Sequence, residues 1–272
     1  MKKKKIIIIG GGIAGLSAGV YGQKYGFETE VFEMHTIPGG QCTAWKRKGY
    51  TFDYCIQWLM GSSYGTVYEL WKDLGALSEH VPIIEPEIFA RNVNEKGEEF
   101  LVYKDMQKWK DYLISTFPED KEAISKMISI IKKISFSGDI EEFMKPKQLR
   151  KTIQLFKSVF NLVGNIVPMI KYGGTSYRQF IDDLGFSNET LKDFLIKFIS
   201  DENFSAMAFL MMMSLFKDNN AGYPVGGSLE FIERIADKYR DLGGIFSFGK
   251  KVDKIIVEDG KAVGIELEDG TT

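Results

Sequence analysis

The sequence predicts an α/β protein in which a doubly wound, parallel-sheet unit is split by a long, mainly helical insertion. Three observations carry this expectation. A β-branched strand at residues 5–9 runs straight into the glycine turn Gly10-Gly11-Gly12 and a helix-compatible stretch. From about residue 64 to 220 the chain changes to helical periods rich in Lys, Ile, Phe and Met. After Gly226-Gly227 it returns to an amphipathic helix followed by strands. The expected division is 1–63 and 222–272 for the two parts of the sheet unit, with 64–221 as the insertion.

Taken in order, residues 5–9 read as a strand whose Ile6 to Ile9 are apolar and β-branched, 14–25 are helix-compatible, and 28–32 read as a second strand, which together make one half of a doubly wound unit. Residues 38–63 hold too many turn formers for one regular element and are expected to be a structured loop region. Within the insertion, 87–93 and 98–103 read as two strands joined by Asn94-Glu95-Lys96-Gly97. Helices are expected over 106–116, 120–134, 146–171 and 187–198, the last capped by Ser187. Residues 228–241 place Leu229, Ile232, Ile235, Ala236 and Tyr239 on one helical face before the stop at Gly243-Gly244. Strands follow at 245–248, 252–257 and 262–267, the last two linked by Glu258-Asp259-Gly260-Lys261.

Composition narrows the function classes. With 35 basic and 37 acidic residues the net charge is -2, so no global field favours nucleic acid. Two cysteines make no disulfide framework, and two histidines make no zinc constellation, so neither a metal nor an oxidising compartment is expected and the cytoplasm fits best. The basic start followed by residues 6–9 is too short an apolar run for a signal peptide, and no stretch approaches the roughly 20 apolar residues of a spanning helix.

The chemistry-bearing motif is Gly10-Gly11-Gly12-Ile13-Ala14-Gly15, a G-x-G-x-x-G in the strand-turn-helix context that gives it meaning. Gly10 permits the turn, Gly12 lets backbone approach a diphosphate, and Gly15 lets helix and strand pack closely, while the helix start offers unpaired N–H groups to the phosphates. Glu33, ending the second strand, stands where a carboxylate would accept from ribose hydroxyls. The motif places a Rossmann-like dinucleotide site here and leaves NAD and FAD both open.

Pro38-Gly39-Gly40-Gln41-Cys42, the run Gly49-Tyr50-Thr51-Phe52-Asp53, and the later Tyr223-Pro224-Val225-Gly226-Gly227-Ser228 with Val252-Asp253-Lys254-Ile255 resemble the carotenoid (phytoene) desaturase, carotenoid isomerase and retinol saturase family. The resemblance spans essentially the whole chain and is more specific at its ends than in its middle. It implies a glutathione-reductase-type FAD-binding domain with an inserted, mainly helical substrate domain carrying a small β-hairpin. It further implies FAD held by Gly10, Gly12, Ile13, Ala14, Gly15, Glu33, Gly39, Gly40, Gln41 and the backbone of Val252. Gln41 departs from an arginine common among relatives, and Cys55 stands in place of a glycine. The implied activity is hydride transfer between an extended apolar, polyene- or isoprenoid-like substrate and the flavin, with no catalytic acid or base assigned. Because the chain stops at Thr272 where relatives add another strand, it is expected to be the N-terminal portion of a longer enzyme, inactive or weakly FAD-binding alone and prone to associate. A flavin amine oxidase and a truncated, non-catalytic nucleotide-binding fragment are the competing readings.

Other features have two readings each. The basic, acid-free segment 145–172 reads as core packing with a solvated face or as an interfacial helix giving peripheral membrane contact. The methionine-rich stretch 207–216 reads as ordinary core or as an adaptable apolar tunnel. His35 and His80 have no triad partners and read as structural, and Cys42 and Cys55 as small hydrophobes, with a redox role as the alternative.

Overall fold

The computed structural model describes residues 4–135, 168, 170–199, 201 and 203–272. In chain order the strands are β1 (Lys5–Ile9), β2 (Glu28–Glu33), β3 (Ala44–Arg47), β4 (Tyr50–Asp53), β5 (Ile83–Ile84), β6 (Ile88–Val93), β7 (Glu99–Tyr103), β8 (Tyr223–Pro224), β9 (Ile245–Phe248), β10 (Val252–Glu258) and β11 (Lys261–Leu267). The helices are α1 (Ile13–Lys24), α2 (Gly65–Asp73), α3 (Met106–Thr116), α4 (Lys121–Lys133), α5 (Tyr177–Leu184), α6 (Glu189–Phe198), α7 (Ala206–Lys217) and α8 (Gly227–Asp241). They fall into two compact units: Met1–Leu59, Tyr68–Ile83 and Tyr223–Thr272 in one, Met60–Val67 and Ile84–Gly222 in the other.

In the first unit a parallel sheet runs β1-β2-β9, with Lys5 opposite Glu28 and Glu30 opposite Ile245. Parallel strands need crossovers, and α1 supplies the one between β1 and β2. Leu16 and Val20 of α1 and Phe231, Ile232, Ile235 and Ala236 of α8 are fully buried in one core cluster with Val31 of β2. Tyr239 completes it: its hydroxyl donates to the Thr29 carbonyl at 2.8 Å and accepts from Thr29 Oγ1 at 2.9 Å, so the buried phenol is satisfied. Among the described strands β1 has β2 as its one sheet neighbour, and Ile6 and Ile9 are exposed. The β10–β11 hairpin turns through Asp259 and Gly260, both at positive φ, as a two-residue connection requires.

Two expectations about this unit change. Residues 38–63 are not all loop, because β3 and β4 pair as a hairpin with Ala44 opposite Asp53 and Arg47 opposite Tyr50. Its turn, Lys48-Gly49, has φ of 50° and 83°, the primed geometry usually announced by Asn-Gly or Asp-Gly, and Trp45 stacks on Phe52 at 5.9 Å. Residues 68–83, grouped by composition with the insertion, belong to the first unit, since Leu74, Ala76 and Leu77 are buried in the same cluster as α1 and α8.

The second unit combines the β6–β7 hairpin, with Val93 opposite Glu99, and the helices α3 to α7. Phe100, Trp109, Ile124, Tyr177, Phe209 and Met213 mark its buried centre. The helix starts follow ordinary capping chemistry: Asp105 accepts from the Gln107 and Lys108 N–H groups, and Ser176, Asn188 and Ser205 each accept from the third residue onward. The cap of α6 is therefore Asn188, not Ser187. Ser187 is committed elsewhere, its N–H and Oγ both donating to Asp120 Oδ1 at 2.7 Å. Helix α5 is an addition to the expected elements, and the methionine-rich stretch forms α7, whose Phe209, Leu210 and Met213 pack in the core. Of the helix expected over 146–171 and the basic segment 145–172, residues 145–167 and 169 lie outside the described residues. No helix among the described residues is long and apolar enough to cross a membrane.

Candidate dinucleotide-binding site

The site is built by the β1-to-α1 junction. β1 ends at Ile9, and Gly10, at φ 97°, turns the chain while its N–H stays bonded to the Phe32 carbonyl at 2.8 Å. α1 begins after Gly12 with no side-chain cap and no acidic residue in its first turn, so the first N–H groups are left for an outside acceptor. Gly15 has to lack a side chain: a Cβ there would sit 2.0 Å from the Gly10 carbonyl oxygen. A Cβ on Gly12 would meet nothing nearer than the Gly39 oxygen at 3.9 Å, which shows that the backbone there faces open space.

The second glycine pair joins this surface. Gly39 forms a parallel bridge with Gly12, its N–H donates to the Gly11 carbonyl at 2.9 Å, and a Cβ on Gly40 would lie 3.4 Å from Gly12 Cα. Two segments more than twenty residues apart thus present contiguous, side-chain-free backbone. Ile13 is half-buried, whereas Ala14, Gly40 and Gln41 are exposed.

Glu33 closes one flank. It is buried, with Oε2 accepting from the Gly11 N–H at 2.6 Å and Oε1 from the His35 N–H at 2.8 Å. Each carboxylate oxygen keeps a further lone pair, which suits hydroxyl donors and disfavours another anion. Beyond β9 the Gly249 and Lys250 N–H groups donate to the His35 and Glu33 carbonyls, both at 3.0 Å, and Val252 follows two residues later at the start of β10. These residues fit a dinucleotide: bare glycine backbone and an uncapped helix start for a diphosphate, and an acidic side chain beside them for a ribose. Both histidines are exposed, and the His80 N–H donates to Ser78 Oγ.

Asp53 emerges as a residue whose role the motif reading missed. Its Oδ2 accepts from the Ser228 N–H at 2.7 Å and the Tyr223 hydroxyl at 2.8 Å, while Oδ1 accepts from Ser228 Oγ and the Cys55 N–H. Ser228 Oγ in turn accepts from the Ile56 N–H at 2.7 Å. Burial alone would push the Asp53 carboxyl up, but these bonds outweigh it and hold the carboxyl below its usual range. Gly227, at φ 62°, is required here, because a Cβ would lie 1.9 Å from Asp53 Oδ2. The available signal was an aspartate ending one aromatic strand and a Gly-Gly-Ser opening α8, residues that only the fold brings together.

Comparison with known proteins agrees with this geometry. The family described as NAD(P)-binding Rossmann-like domain matches residues 8–74. The chain is 28% identical over 272 residues to a chloroplastic prolycopene isomerase from Daucus carota, covering 97% of this chain and 43% of that protein. It is 26% identical over 276 residues to a 1-hydroxycarotenoid 3,4-desaturase from Flavobacterium sp. (strain P99-3), covering 98% and 54% respectively. A solved oxidoreductase from Methanosarcina mazei superposes with a TM-score of 0.59 at 23% identity over 97% of this chain and 56% of that one. The chain thus spans about half the length of the curated relatives it matches. It carries an NAD(P)-binding Rossmann-like domain and is a homologue of proteins named as prolycopene isomerases and carotenoid desaturases.

Proposed function

We propose that this chain holds FAD at the β1-to-α1 junction and serves an oxidoreductase that transfers a hydride between an extended apolar, polyene- or isoprenoid-like substrate and the flavin. The observation that carries the reading is the joint surface of Gly12, Gly39 and Gly40 beside buried Glu33. On this reading the α1 N–H groups and the backbone at Gly12 hold the diphosphate, Ile13 and Ala14 lie along it, and Glu33 accepts from the adenosine ribose. Gly39, Gly40 and Gln41 run beside the cofactor, and the backbone after Lys250 brings Val252 towards its adenine end. FAD, when bound, supplies the hydride chemistry, and the protein contributes alignment and exclusion of water. The names of the carotenoid-modifying relatives support an apolar substrate, and no acid or base of this chain is assigned a catalytic role.

The test is to titrate the purified chain with FAD and, separately, with NAD, following flavin fluorescence and calorimetric heat. Saturable, one-to-one FAD binding that Glu33→Arg weakens at least about tenfold, equivalent to 1.4 kcal/mol, is expected. Binding of NAD alone, or FAD binding indifferent to Glu33→Arg, would overturn the cofactor assignment. For the substrate, a polyene assayed with the FAD-loaded protein should change its absorption spectrum while an alkyl amine is left intact. The reverse outcome would move the protein to amine oxidation.

A further inference from the structure

The β3–β4 hairpin carries a feature that cofactor binding does not use. Its register pairs Ala44 with Asp53, and one step further the Tyr54 N–H donates to the Thr43 carbonyl at 3.1 Å. Cys42 and Cys55 are the next residues outward from this bond on the two chain segments. The ladder ends there, because the Thr43 N–H turns back to the Gln41 carbonyl at 2.9 Å, and Cys42 and Cys55 flank the closing Thr43–Tyr54 bond at the open end of the hairpin.

The side chains agree with the backbone. Cys42 is buried at 7% exposure, whereas Cys55 is exposed, and both thiols are free. Burial pushes the Cys42 thiol up to about 12, helped by the charge of Cys55, a hydrogen bond to Cys55 and the charge of Asp53. Cys55 thus lies near enough to act on the Cys42 thiol, one thiol screened from solvent and one accessible to it. The Cys42 N–H also donates to the Gly39 carbonyl at 2.9 Å, which anchors it to the second glycine pair.

We propose that Cys42 and Cys55 are a redox modification site, a dithiol that closes reversibly to an intramolecular disulfide across the open end of the hairpin. The oxidant is a low-molecular-weight disulfide of the glutathione class. The exposed Cys55 thiolate attacks one of its sulfurs, which forms a mixed disulfide and releases the first small thiol. Cys42, giving up its proton to solvent, then attacks Cys55 Sγ, closes the protein disulfide and displaces the second small thiol. Two protein thiols are oxidised and one small disulfide is reduced to two thiols, so the exchange balances. The closed form ties the chain after Gly39-Gly40 to the segment after Asp53, two strand ends that already sit side by side.

The test uses the native chain, without FAD, equilibrated in glutathione buffers of stepped redox ratio, quenched with acid and alkylated. Peptide mass mapping should find residues 42 and 55 joined, with the loss of two hydrogens, in a chain whose circular dichroism is unchanged. The reduced thiol count should return on addition of dithiothreitol. Cys42→Ser should instead accumulate a glutathione adduct on Cys55, because the resolving thiol is gone. A lasting glutathione adduct on Cys55 of the native chain, a Cys55-linked dimer, two free thiols throughout the series, or a bridge formed only after unfolding would each overturn the proposal.

Discussion

Replacing Asp53 by alanine should destabilise the first unit by about 3 kcal/mol, a figure that follows from the bonds it holds. Ser228 is fully buried, and its N–H and Oγ both donate to this carboxylate. Hydrogen bonds to a charged group contribute about 1.5 kcal/mol each at the lower end of their range, and neither Ser228 donor has water at hand as a substitute. Tyr223, half-buried, and Cys55, exposed, can turn to solvent, so their bonds add little. Asp53→Asn keeps one acceptor oxygen and should cost about half as much. Urea unfolding followed by tryptophan fluorescence measures both. The acid dependence carries an independent signature. Asp53 is held below its usual range in the folded chain, so its contribution is complete above the unfolded carboxyl value of about 3.9 and is lost as pH falls through the lower folded value. Wild-type stability should therefore fall across that acid window more steeply than that of Asp53→Asn. A second check is Gly227→Ala, whose Cβ would meet the same oxygen, so its cost and that of Asp53→Ala should fall short of additivity in the double variant. An Asp53→Ala protein within about 0.5 kcal/mol of wild type, the range of an ordinary surface change, would refute the reasoning.

Other consequences are as specific. Asp120 is the counterpart in the second unit, buried and accepting from the Ser187 N–H and Oγ and from the Asn188 N–H. Asp120→Ala should lower that unit's unfolding midpoint by about 2–4 kcal/mol equivalent and expose the start of α6 to hydrogen exchange. Gly15→Ala, which drives a methyl group into the Gly10 carbonyl, should cost about 1–3 kcal/mol by thermal denaturation and abolish FAD binding in the fluorescence titration. Tyr239→Phe keeps the ring but strands the Thr29 groups, and about 1–2 kcal/mol should be lost in urea unfolding with the circular dichroism retained.

What the sequence made legible follows a physical pattern. The β1-turn-α1 unit and the acidic end of β2 could be read because each rests on neighbouring residues: an isoleucine run, glycines at fixed spacing, one carboxylate at a strand end. The amphipathic face of α8 was readable for the same reason, and Ile232, Ile235, Ala236 and Tyr239 are all fully buried. The β3–β4 hairpin was hidden because Lys48, rather than Asn, Asp or Gly, takes the first positive-φ position, so Gly49 alone marks the turn in a stretch already crowded with turn formers. α5 spans eight residues, too few for a helical period to stand out. The cap of α6 was displaced by one residue because a distant carboxylate, Asp120, claims Ser187 and leaves Asn188 to cap. Asp53 was quoted only as part of a motif, since its partners at 223 and 228 lie some 170 residues along the chain. For Ser187 and Asp53 the deciding contact is remote in sequence, and local pattern cannot report it.

β1 has a practical bearing on handling the protein. Among the described strands the outer edge of β1 has no neighbour, and with exposed Ile6 and Ile9 it should favour side-by-side pairing with another extended chain, which sedimentation at rising concentration checks. Excluded salts such as ammonium sulfate should strengthen such pairing, whereas dilute, cold, low-salt preparation should weaken it. A lysine at position 6 or 9, pointing into the same solvent, is the simplest way to keep the preparation clear.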